Sequence, residues 1–169
     1  MKPPKNATFE FRREWELTAY HEAGHVVIDR QRGLGVKDAT LSFHGSPAGT
    51  KWHVNGLVRT STDVSLKDPA RCTDLVLGTF AGPMAEAVWL SRHGGMGAGA
   101  AERSAEAASK GSCDSDLRAI TKYLRVSELT YGTARHQAMR LVRAHWSEIH
   151  RVGRALAASG YLSGADVLV

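Results

Sequence analysis

His21, Glu22 and His25 stand in the run His-Glu-Ala-Gly-His. On an α-helix, residues i and i+4 share one face about a turn apart, so both imidazoles can reach a single divalent ion. Glu22 lies about 100° further round the same helix, near enough to take a proton from a water on the open side of such an ion. Two imidazoles and an adjacent carboxylate are the parts of a zinc-activated hydrolytic centre. The bland alternative is a core helix whose histidines only hydrogen-bond, and two histidines bracketing a glutamate weigh against it.

A catalytic zinc needs a third protein ligand and one position left open for water. A continuation HExxHxxGxxH is excluded, because Ile28 and Gln31 occupy the places of the required Gly and His. A downstream glutamate would have to be Glu86 or later, since no glutamate lies between Glu22 and Glu86. An aspartate is the other option, and the spacing alone leaves the choice open.

These residues need a helix to carry them. Around the motif, Ala19, Ala23, Val26 and Val27 read as one buried helical stripe, and the run can begin near Thr8 or Glu10. Gly33 and Gly35 after Arg30 and Arg32 form its stop. Residues 1–12, charged and proline-bearing at the start, are expected as a flexible tail, with a single zinc-peptidase-like domain over 13–169. Val36 to Phe43 and Trp52 to Thr60 read as strands about the turn-rich His44-Gly-Ser-Pro-Ala-Gly49. Asp68-Pro69 opens a long apolar helix through Leu90, in which Gly82-Pro83 predicts a kink or a break. The Gly/Ala-rich stretch 94–111 is expected as a mobile loop by its Gly-rich ends, with a helical turn or two in its middle, Ala100 to Lys110, and from Ser115 the chain reads as helix, broken near Tyr131-Gly132 and Ser159-Gly160. The fold class is therefore mainly α with a small β-hairpin or sheet, an α+β helical domain of the HExxH zincin-like type.

The chain has 169 residues, 43% hydrophobic and 23% charged, enough for one well-buried core and unlike a disordered polymer. No apolar stretch reaches membrane-spanning length; the best candidate, Leu75 to Ala85, is interrupted by Gly78, Gly82 and Pro83. Two cysteines, Cys72 and Cys113, without CxxC spacing or an export signal, fit free thiols and a cytoplasmic location. The net charge of +5 permits attraction to nucleic acid, but the late arginines alternate with apolar residues at helical spacing and read as solvated helix faces.

Several segments resemble one known family. Thr18-Ala-Tyr-His-Glu-Ala-Gly-His25 resembles the start of the peptidase domain of the FtsH-type ATP-dependent zinc proteases. In the same order, Gly56-Leu57-Val58 resembles the family's Leu-Gly-Tyr-Thr strand, Ala81-Gly-Pro-Met-Ala-Glu86 its Gly-Gly-Arg-Ala-Ala-Glu helix, and Ser112-Cys-Asp-Ser-Asp-Leu117 its Gly-Ala-Ser-Asn-Asp-Leu. The tail Ala155 to Asp166 is similar to the family's closing helix. The resemblance implies Zn2+ as cofactor, held by His21, His25 and Asp116, with Glu22 as the general base that activates the attacking water. It makes Glu86 an orienter of a ligating imidazole and leaves Cys113, which aligns with a family alanine, as a lesser ligand candidate. His44 and His53, beside the hairpin turn, are candidates for stabilising an oxyanion.

The chain departs from the family at Ala81-Gly82-Pro83, where the family has Gly-Gly-Arg, and in a longer Gly/Ala-rich stretch before Asp116. It contains no Walker A run. The expected function is zinc-dependent hydrolysis of peptide bonds in peptides or unfolded segments. The expected partners are that substrate and a homo-oligomer or separate ATPase (unfoldase), with neither membrane nor nucleic acid. A degenerate relative acting as a metal-binding or protein-interaction module is the alternative, and a basic helical nucleic-acid binder the weaker one.

Overall fold

The computed structural model describes residues 2–46, 48–49, 51–61, 65–112 and 114–168. Among them are six α-helices and a three-stranded antiparallel sheet, a mainly helical α+β arrangement. Cys113 lies outside the described residues.

Helix α1 (Phe9–Gln31) starts where Thr8 caps it, its hydroxyl accepting from the Phe11 amide at 3.1 Å. The expected tail over 1–12 is therefore too long, because helix begins at Phe9 and both Ala7 and Phe11 are buried. Phe11 draws this end inward by packing on Trp15, Phe43 and Trp52. From Ala19 to Asp29 every residue is buried. The expected single stripe is thus buried on all sides: α1 is the central helix, enclosed by α2, α6 and the sheet.

Helix α2 (Pro69–His93) has Pro69 in its first turn and Asp68 as cap, its carboxylate accepting from the Arg71 amide at 3.0 Å. It does not break at Gly82-Pro83. Every residue from Phe80 to Leu90 is buried, and packing from several neighbours holds the helix through the missing proline N–H. The Gly/Ala-rich stretch is corrected as well. Residues Ala98–Ser112 form helix α3, whose buried Ala101 and Ala105 face the core while α3 packs on α2. Alanine's helix preference outweighs the glycines, which cluster at the ends.

Helix α4 (Asp114–Leu124) follows, then α5 (Tyr131–Ala144) and α6 (Trp146–Ser159). The break expected near Tyr131-Gly132 falls just before Tyr131, where a Thr130–Thr133 capping box starts α5 after α4 has ended at Leu124, and the periodicity gave no sign of the break at His145. Gly160, at φ +70°, ends α6 as its position predicts.

Strands β1 (Val36–Gly45), β2 (Trp52–Thr60) and the unforeseen β3 (Tyr161–Ser163) are ordered β2-β1-β3. The register sets Leu41 opposite Gly56 and Ala39 opposite both Val58 and Leu162. β2 is thus an edge strand, lying against α1. No helix among the described residues is long and apolar enough to cross a membrane.

Candidate metal centre

Helix α1 presents His21 and His25 one turn apart, and α2 fixes both rings. His21 Nδ1 donates to Glu86 Oε1 at 2.8 Å, and His25 Nδ1 donates to the Gly78 carbonyl at 2.8 Å. With each Nδ1 engaged as a donor, each neutral ring has Nε2 as its lone-pair nitrogen. Both Nε2 atoms face one carboxylate oxygen: Asp116 Oδ2, in the first turn of α4, is 3.1 Å from His21 Nε2 and 3.4 Å from His25 Nε2. The three donor atoms lie within 4.8 Å of one another, and this group could hold a metal ion.

The donor set fits zinc. A tetrahedral ion about 2.0–2.1 Å from each ligand sets neighbouring ligand atoms about 3.4 Å apart, close to the 3.1 and 3.4 Å between Asp116 Oδ2 and the two Nε2 atoms. Room beside the nitrogens comes from Gly82, where a Cβ would sit 2.4 Å from His25 Nε2 and 2.6 Å from His21 Nε2. Any larger residue would crowd the two Nε2 atoms. At Gly24, a Cβ would meet the Ala81 carbonyl at 2.5 Å, so this glycine of the motif lets α1 and α2 approach closely enough for the contacts to Glu86 and Gly78.

The electrostatics match a cation site. Burial opposes charge on both imidazoles. The neighbouring carboxylates of Glu86 and Asp116 nevertheless hold the His21 pKa well above the usual histidine range, and Asp116 lifts His25 to about 9. Burial alone would raise Asp116; the two imidazolium charges and their hydrogen bonds hold it far below the usual carboxylate range. Two protons thus occupy, by charge, the place of a divalent ion. Burial pushes the Glu22 carboxyl up, with His21 and His25 opposing. That carboxylate meets β2 at Gly56, where a Cβ would fall 2.1 Å from Glu22 Oε1. The base candidate therefore reaches from α1 to the edge strand.

Of the residues read from the sequence, His21, His25, Asp116, Glu22 and Glu86 are gathered in one buried region. His44 and His53 are not: they pair across the hairpin near its turn and make no hydrogen bond to these residues. Asp29 was missed. It is buried one turn beyond His25, with its carboxylate against Gly78, and burial pushes its pKa up to about 6. A polar residue on a helix later found buried all round was the available signal. Gly56, Gly78 and Gly82 were missed too, although isolated glycines inside strands and helices often mark a close approach. No known family model matches the chain, and no curated protein matches it.

Proposed function

We propose that the chain is a zinc-dependent metallopeptidase that hydrolyses peptide bonds in extended or unfolded polypeptide segments. The observation carrying this reading is the convergence of His21 Nε2, His25 Nε2 and Asp116 Oδ2 at ligand spacing, beside a buried glutamate. His21, His25 and Asp116 would hold the ion, which when bound supplies a Lewis acid for a water and for a carbonyl.

The protein's own residues do the rest. Glu86 and the Gly78 carbonyl keep the imidazoles in the ligating tautomer and orientation. Glu22 accepts the proton of the attacking water and returns it to the leaving amine, and a carboxyl whose pKa burial has raised is a better base for that exchange. The free edge of β2 offers main-chain hydrogen bonds to an extended substrate. Because Gly56 touches Glu22, a strand added there runs past the base. Such pairing reads backbone rather than side chains, which favours unfolded segments of varied sequence.

The test is cleavage of a fluorescently labelled unfolded protein by wild type and by Glu22→Gln, with zinc content measured on both. Wild-type cleavage should stop with a chelator and return with zinc. Glu22→Gln should keep its zinc and lose at least about a hundredfold in rate. Undiminished cleavage by Glu22→Gln would end the proposal.

A further inference from the structure

A concave site lies on a face of α1 away from the metal centre. A cavity of about 1250 Å³ opens between the N-terminal half of α1, the end of α2 and α6. On α1 it is lined at Phe9, Arg12, Arg13, Glu16 and Tyr20, a stripe about 100° round the helix from His21. Nothing in the metal centre accounts for it.

Its charge is lopsided. Lys5, Arg12, Arg13 and Arg154 line it against one acid, Glu16. None of the four cations forms an ion pair among the described residues; Arg12 donates only to the Lys5 carbonyl, at 2.6 Å. His150, in the cavity wall, has its pKa lowered by burial and then by the charges of Arg154, His93 and Arg92. Its Nδ1 is within hydrogen-bond distance, 2.8 Å, of the Tyr20 hydroxyl. Phe9, 75% exposed, supplies an apolar contact on the rim.

We propose that this cavity binds an extended acidic peptide segment. Guanidinium forks match carboxylates two bonds at a time, and several unpaired forks around one groove suit a chain bearing several carboxylates. Single-stranded nucleic acid fits less well. It needs several flat aromatic faces for successive bases, and of the Phe, Tyr and Trp rings here only Phe9 on the rim is open: Trp15 is 1%, Tyr20 4% and Trp89 6% exposed. An acidic segment held here would recruit the polypeptide that carries it, and this last step rests on the peptidase reading above.

The experiment is fluorescence anisotropy of the full chain with a labelled Glu/Ser peptide, a Lys/Ser peptide of equal length, and oligothymidylate. Wild type should bind the Glu/Ser peptide saturably, and more weakly as salt rises. The double variant Arg13→Glu with Arg154→Glu should lose at least about tenfold in affinity and turn its preference to the Lys/Ser peptide. Arg13→Gln with Arg154→Gln, which introduces no repulsion, should lose affinity without that reversal. Glu22→Gln should bind as wild type does, so that a failed peptidase assay leaves this result intact. Tighter binding of oligothymidylate than of the Glu/Ser peptide, or Glu/Ser binding indifferent to both double variants, would overturn the proposal.

Discussion

Asp29→Asn should flatten the dependence of stability on pH. In the unfolded chain Asp29 ionises near its ordinary value of 3.8, whereas in the fold burial holds the proton until about pH 6. Between those values the folded state binds more protons, so stability is full below the unfolded value and falls as pH rises. The difference, from 3.8 to about 6, is about 2 units, which amounts to roughly 3 kcal/mol once both states are ionised. Asparagine keeps the shape and cannot ionise. Urea unfolding followed by far-UV circular dichroism, in chelator, should give stability curves for variant and wild type that diverge by about 3 kcal/mol between pH 4 and pH 7 in favour of the variant. Taking the difference removes the titration of groups that do not interact with Asp29; His25 and Asp116 do interact with it, in opposite directions. Curves that stay parallel over this range would refute the claim that Asp29 is buried as a carboxyl.

Gly82→Ala should cost zinc rather than helix. The added methyl falls 2.4 and 2.6 Å from the two Nε2 atoms, while alanine favours the helix itself, so zinc affinity should drop at least about a hundredfold with helical content preserved. Stoichiometric zinc at wild-type affinity would contradict the cradle. Zinc affinity of the wild type should also rise with pH up to about 9, because His25 holds its proton to about that value and His21 is shifted in the same direction. Each imidazole proton displaced should contribute about tenfold per pH unit, measurable by competition with a chromophoric chelator. A flat profile would mean that the imidazoles are not the ligands.

The pair of histidines was legible because helical spacing is a local rule that needs no partner. Asp116 was not legible in this way. Its distance along the chain left Glu86 equally open, and only the family resemblance separated them. The structure sets the two apart by placing Glu86 on the outer nitrogen of His21 and Asp116 on the inner ones. The hairpin strands and the long apolar helix followed from patterning and turn residues. The stretch 94–111 misled because glycine at its ends was weighed above alanine in its middle, and packing on α2 decided for helix. Asp29, Gly56, Gly78 and Gly82 owe their importance to elements far away in sequence, so a single-segment pattern can mark them as unusual without naming what they meet.

The candidate ligands also have a topological meaning. Asp116 is 95 residues from His21, and α2 and α3 lie within that interval. An ion bound by both is a cross-link that closes a loop of more than half the chain. By the loop-closure entropy used for disulfides, a permanent link of that span removes about 4–5 kcal/mol of freedom from the unfolded chain. The same ion that serves chemistry would thus act as a removable staple. Since α4 carries the one member of the candidate ligand group outside α1, α4 is the segment whose amide exchange should quicken first when such a staple is withdrawn.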